Sequence, residues 1–253
     1  MAIWHGLLDA LGGVLQFFHD LVAPLFGNHS WGWAIILLTV AVRLFLLPLA
    51  IKQTRSQRAM QTLQPEMKKI QAKYKADRGL MKTDPEKYKD LRAKQQAAMM
   101  ELYKEHGVNP ASGCLPLLAQ MPIFIALFQV LQRSEALKGA PFYLLPDLAK
   151  TVTQIGVASW FLVFLMALTT YYSSRQMMAS TPATGQQLQQ QKIMMYAMPA
   201  LLTFFSLNLY IGVLLYWVTT NVWTIGQQFF MFRSAAHAAE PPPATAATPK
   251  AAK

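Results

Sequence analysis

Long apolar runs alternate with one charged block along this chain. Trp31–Ile51 carries a single charge and, at about 1.5 Å per residue, is long enough to cross a hydrocarbon layer. Comparable runs cover Ser112–Leu131 and Thr151–Tyr172. The stretch from Ile193 to Phe232 is about twice one span and breaks weakly at Asn208-Leu209-Tyr210, which predicts two helices over 193–208 and 211–232. The pattern predicts an all-α polytopic membrane protein with five transmembrane helices in a core of residues 30–233.

The segment before these spans has a different rhythm. Trp4, Leu7, Leu8, Leu11, Leu15, Phe18 and Val22 recur every three or four residues, with Asp9, Gln16 and Asp20 on another side. That spacing predicts an amphipathic helix lying in the membrane interface over residues 1–29. Gly12-Gly13, two acids and two histidines weigh against a full span, and Pro24 and Gly27-Asn28 close the segment.

Between the first two spans, residues 52–111 should form a cytoplasmic helical hairpin. Leu63, Met67, Ile70 and Tyr74 mark one seam, and Tyr88, Leu91, Ala98 and Leu102 mark the other. Thr83-Asp84-Pro85-Glu86 reads as a capping box, Gly107 as a C-cap, and Pro65 as a break or kink between the span and the hairpin. Residues 234–253 are Ala/Pro-rich and are expected to be disordered.

Charge turns this pattern into a topology. Residues 52–113 hold 14 of the 23 Lys/Arg and 7 of the 12 Asp/Glu. No Lys or Arg precedes Arg43, and only Arg133, Lys138 and Lys150 fall in the opposite set of loops. The positive-inside rule then puts the N-terminus outside and the C-terminus in the cytoplasm. The chain is 53% hydrophobic and 14% charged, where a soluble domain carries roughly a quarter charged residues. The net charge of +11 flanks apolar spans, a placement suited to anionic headgroups rather than nucleic acid. The single cysteine, Cys114, excludes an internal disulfide and a cysteine-cluster metal site. No basic segment precedes the first apolar stretch, so an ordinary signal peptide is not expected.

Arg43 is the most informative residue. It is thirteenth in a 21-residue run, so it falls near mid-bilayer. A guanidinium there costs about 2.5–3.5 kcal/mol unless it meets water or partners. The other four spans contain no Asp or Glu to pair with it. This predicts a water-filled, positively charged cavity. Thr39 lies one turn before Arg43, Gln120 and Gln129 lie in the second span, and Thr169 and Thr170 lie near the inner end of the third. In the fifth span Trp217, Thr220, Asn221 and Thr224 form a polar-aromatic stripe. Pro48, Pro116, Pro122 and Pro199 would kink helices, and 14 methionines offer pliable apolar surface.

Several ordered motifs carry a resemblance. Asn109-Pro110-Ala111-Ser112-Gly113-Cys114-Leu115-Pro116, then Gln120-Met121-Pro122-Ile123-Phe124, resembles the entry to the second core helix of the YidC/Oxa/Alb insertase family. The arginine followed by Leu47-Pro48-Leu49 and the connection Pro141-Phe142-Tyr143-Leu144-Leu145-Pro146-Asp147-Leu148 are similar to other parts of that family. So are Gln190-Gln191-Lys192-Ile193-Met194, Met198-Pro199 and Leu215-Tyr216-Trp217-Val218-Thr219-Thr220-Asn221. The resemblance implies a hydrophilic groove open to the cytoplasm and lipid and closed outside, with Arg43, Thr39, Gln120, Tyr216, Trp217, Thr220 and Asn221 as its candidate lining. It implies insertion and chaperoning of client membrane proteins, alone or with the Sec channel. Nascent clients and membrane lipids are the implied partners, with the ribosome and signal recognition particle pathway reached through the hairpin. The chain is expected to be a short member without a large external domain, with a tail of only two lysines making a weak ribosome tether.

Other function classes fit less well. A small-solute transporter or channel should carry internal repeats or intramembrane acids. A passive scaffold has no use for a mid-membrane arginine. No nucleophile–base set and no metal-ligand spacing can be assembled from the five histidines, so neither catalysis nor a cofactor is expected.

Overall fold

The computed structural model describes residues 2–74, 83–109, 115–180 and 186–238, and among them it is helical, with isolated β-bridges only. The predicted tail beyond residue 238 and the link 110–114 lie outside the described residues. The nine longer helices among the described residues are α1 (Ala2–Phe26), α2 (Ser30–Phe45), α3 (Leu47–Thr62), α4 (Gln64–Lys73), α5 (Pro85–Glu105), α6 (Leu115–Arg133), α7 (Val157–Ser180), α8 (Gln186–Ser206) and α9 (Ile211–Ala238).

The run predicted as one span over 31–51 bends. α2 ends at Leu46, whose N–H bonds back to the Val42 carbonyl, and α3 opens with Pro48 in its first turn. A proline lacks the N–H that would continue the ladder, so the bend falls there. The expected span from Thr151 starts later: a one-turn helix, Val152–Ile155, is opened by a Thr151/Gln154 capping box and ends at Gly156 before α7 begins at Val157. α8 and α9 meet through the turn at Leu207–Tyr210.

α9 packs on α2, α6 and α7; α8 packs on α7; α1 packs on α2 and α6. Their shared core gathers Leu15, Ile35, Leu38, Leu127, Met166, Ile211, Leu214 and neighbours. A second core is separate. It joins Met60, Leu63, Met67, Met99, Leu102 and Tyr103, and closes α4 on α5 as a hairpin. The hydroxyl of Tyr103 donates to the Met67 sulfur at 3.8 Å, and burial raises the pKa of that phenol. Asp84, rather than Thr83, caps α5 by accepting from the Lys87 N–H at 3.0 Å.

At the distal end of the bundle, away from the hairpin, the loop after α6 acts as a strap. Leu148 N–H bonds the Ala140 carbonyl, Gly212 N–H bonds that of Leu148, and Ile211 N–H bonds that of Lys150. Gly212 sits where a β-carbon would lie 3.2 Å from Ile35 and 3.4 Å from the Leu148 carbonyl, so α9, α2 and the strap close on one another there. Thr153 N–H adds a bond to the Leu207 carbonyl.

α1 runs across this end rather than alongside α2. An antiparallel partner of α2 would bring Trp4 to the hairpin side. Its indole instead donates to Gln129, one turn from the Arg133 end of α6, at 3.2 Å. His19 stacks on Trp31 at 3.9 Å and Phe26 on Trp33 at 4.8 Å, which fixes the α1–α2 corner.

Candidate functional site

Arg43 lies in the last turn of α2, about 20 Å along the axis from Ser30. Its side chain is half-buried, and no ion pair to it is formed among the described residues. It interacts electrostatically with Tyr216 of α9, and the Gln120 amide of α6 donates to the Tyr216 hydroxyl. One turn further along α9 the Thr220 hydroxyl is also buried. Three helices thus contribute a cation, an amide and a phenol to one neighbourhood of the bundle. Such a cluster can hydrogen-bond a peptide or attract a carboxylate, and it presents no nucleophile activated by a base.

The remaining residues predicted for the site have other surroundings. Thr39 is buried, and its hydroxyl donates to the Ile35 carbonyl at 2.7 Å, a bond within its own helix. Trp217 packs edge-on against Phe124 of α6, with ring centres 5.2 Å apart. The Asn221 amide donates to Thr170 at 2.8 Å and Thr169 at 3.2 Å, all three being buried between α7 and α9. These three residues form an interhelical clasp between α7 and α9. Thr224 donates to the Thr220 carbonyl.

Gln129 belongs to the distal end, where it holds Trp4. Helical geometry accounts for this, because nine residues at ~100° each put Gln129 roughly 180° from Gln120 around α6. The role of Tyr216 as the meeting point of Gln120 and Arg43 had no signal of its own in the sequence. It stood out only within the Leu215–Asn221 motif.

Outside the core, much of the bundle surface is apolar. Phe161, Phe164 and Leu168 on α7, with Ile193, Tyr196, Leu201, Phe204 and Phe205 on α8, are exposed. Large aromatic side chains in such numbers on the outside of a bundle suit hydrocarbon, not water. By length and composition, Trp4–Phe45 and Val157–Gln176 are helical stretches able to cross a membrane.

Comparison with known proteins follows the same direction. The family described as 60Kd inner membrane protein matches residues 21–238. A membrane protein insertase YidC of Streptomyces avermitilis is 38% identical over 254 residues, covering 87% of this chain and 56% of that protein. The membrane protein insertase MisCA of Bacillus subtilis is 36% identical over 221 residues, covering 83% of this chain and 73% of that protein. A crystal structure of an active YidC insertase with its first transmembrane domain resolved superposes with a TM-score of 0.62 at 31% identity, covering 88% of this chain and 46% of that one. The chain spans between a third and just over half the length of the first YidC relatives it matches.

Proposed function

The chain belongs to the YidC/Oxa/Alb family of membrane proteins, and from that premise we propose that it is an insertase, moving hydrophobic segments of client proteins into the bilayer and helping them fold there. It is a bacterial inner-membrane protein. On this reading α2, α6, α7, α8 and α9 are the five spans, α1 lies in the outer interface, and the α4–α5 hairpin stands in the cytoplasm.

The observation that carries the proposal is the convergence of Arg43, Gln120 and Tyr216 from three helices without an acidic partner among the described residues. A guanidinium facing lipid would cost about 2.5–3.5 kcal/mol or more, and half-burial beside two neutral polar groups favours a hydrated groove instead. A groove of this kind shortens the hydrocarbon path that a client's polar tail must cross, since burying each unpaired polar group costs about 1–3 kcal/mol. The fixed positive charge draws acidic tail residues inward. Strapping at the distal end supports a groove closed outside and open toward the hairpin.

α6 packs on α1 and α9, and α8 packs on α7. Exposed Met121 and Ile125 on α6 and Ile193, Tyr196 and Leu201 on α8 then offer a lipid-facing track for the client's apolar segment. The basic hairpin is the surface suited to the ribosome or a targeting factor, and the Sec channel is a partner for larger clients.

The test is complementation of an insertase-depleted strain with Arg43 variants and one client carrying an acidic or a neutralised tail. Arg43→Lys should retain most activity, and Arg43→Ala should fail mainly for the acidic tail. Equal loss for both tails in Arg43→Ala would defeat the electrostatic account. Failure of Arg43→Lys as complete as that of alanine would assign the role to the planar guanidinium.

A further inference from the structure

The strap at the distal end carries a feature that the groove does not use. Phe142 and Leu145 exchange backbone hydrogen bonds of 2.7 and 3.0 Å, forming a tight turn with Tyr143 and Leu144 at its tip. Tyr143 has φ of 52°, a left-handed conformation unfavourable for a bulky side chain. Its surroundings hold it there. The Tyr143 N–H donates to Nδ1 of His29 at 3.2 Å, the two rings stack at 4.7 Å, and the Trp33 indole donates to the Tyr143 hydroxyl at 3.3 Å. Beneath the turn the Phe142 ring fills the space above Gly32.

This bracing presents Leu144 with 74% of its surface exposed, so an aliphatic side chain is held out at the tip of a fixed projection. The projection adjoins α1, because Phe26 stacks on the same Trp33 that bonds Tyr143. α1 has three faces at ~100° per residue. Leu8, Leu15 and Val22 are buried on the bundle, Asp9, Gln16 and Asp20 form a polar face, and Val14, Phe17, Leu21 and Leu25 are exposed. A helix divided among protein, water and an exposed apolar stripe fits a bilayer surface, where each face has its own medium. The stripe ends at Leu25, 79% exposed, on the side of the aromatic cluster that carries the turn.

We propose that the Tyr143–Leu144 turn is a second lipid anchor, inserting Leu144 into the acyl boundary of the outer leaflet alongside the apolar stripe of α1. The occupant is lipid rather than a protein partner because the surface continues the apolar exterior of an inner-membrane protein. Trp33 and Tyr143 also have the apolar body and hydrogen-bonded polar end that suit a membrane interface. A helix and a turn, anchored at separate points, would fix the tilt of the bundle against the leaflet.

The inference rests on the bilayer reading of the fold, and its test separates the two. In a Cys114→Ser background, Leu144→Cys, Lys138→Cys and Phe164→Cys are each labelled with an environment-sensitive fluorophore. The full chain is then reconstituted in vesicles containing lipids that carry nitroxide quenchers at set depths. The label at 144 should emit to the blue of that at 138 and be quenched several-fold more by shallow lipid nitroxides. It should also resist aqueous iodide. A label at 144 that behaves like that at 138, while 164 is quenched by deep nitroxides, overturns the anchor and leaves the bilayer reading intact. Water-like behaviour at 164 as well would defeat the bilayer reading itself. Quenching at 144 that follows protein density and ignores lipid nitroxides would assign the surface to a second copy and also overturn the proposal.

Discussion

Gly32 shows how a single missing side chain sets the distal end. A β-carbon at this position would lie 2.0 Å from the Phe142 ring, which Trp33 and Tyr143 crowd from other sides. Gly32→Ala should therefore destabilise the protein by about 1–3 kcal/mol through overpacking. Thermal unfolding in detergent would register this as a lower midpoint, and Gly32→Ala combined with Phe142→Leu should recover part of the loss. Asn221 makes a complementary case. Replacing it with leucine removes two donor contacts between α7 and α9, at a cost of about 0.6–1.7 kcal/mol by comparison with other interhelical bonds in membranes. The same unfolding measurement applies, with Thr220→Val as a comparison that leaves the clasp intact. The sequence displayed Arg43, Gln120 and Asn221 alike as polar residues in apolar runs. It did not separate a residue that meets other polar groups from one that clasps a neighbouring helix, because that depends on the rotation of each helix about its axis. Spacing alone did contain the rotation of Gln129 away from Gln120.

At the scale of elements, helix periodicity was the most legible signal, and its boundaries were the least. The seam through Leu63, Met67 and Ile70 is the one that closes the hairpin. On the partner helix the contacts run through Met99, Leu102 and Tyr103 rather than Tyr88 and Leu91. The separation of this core from that of the bundle has a measurable consequence. Met67 is 1% exposed, and Met67→Ala leaves a cavity costing about 2–5 kcal/mol. Amide hydrogen exchange should then accelerate across 60–73 and 85–105 while α7 and α9 keep their protection. Acceleration spread equally over α7 and α9 would mean that the two cores unfold as one. The bend at Leu46 follows from Pro48, yet a hydrophobicity pattern counts the residues on both sides as one run. The one-turn helix before α7 was likewise invisible, since its purpose is to seat the strap.

The whole molecule is asymmetric along its axis. One end is tied by backbone hydrogen bonds from the 140–153 strap to the turn between α8 and α9, by stacked aromatic rings, and by α1 laid across it. The other end leads through a bent helix into a hairpin with its own core. Backbone bonds carry no side-chain signature, so the Pro141–Leu148 motif marked a connection without revealing what it binds. The charge distribution nevertheless distinguished the two ends. The proposed function needs this polarity, because a client tail would have to enter from one side and find hydrocarbon beside it. The most direct measurement is photo-crosslinking to a stalled nascent membrane protein, with the probe placed in turn at Trp217, next to Tyr216 on α9, and at Phe164, on the exposed face of α7. The account predicts strong client adducts from 217, lost when the client's apolar segment is deleted, and little from 164. Equal adducts from both positions, or none from 217 while 164 reacts, would contradict an intramembrane groove as the client's route.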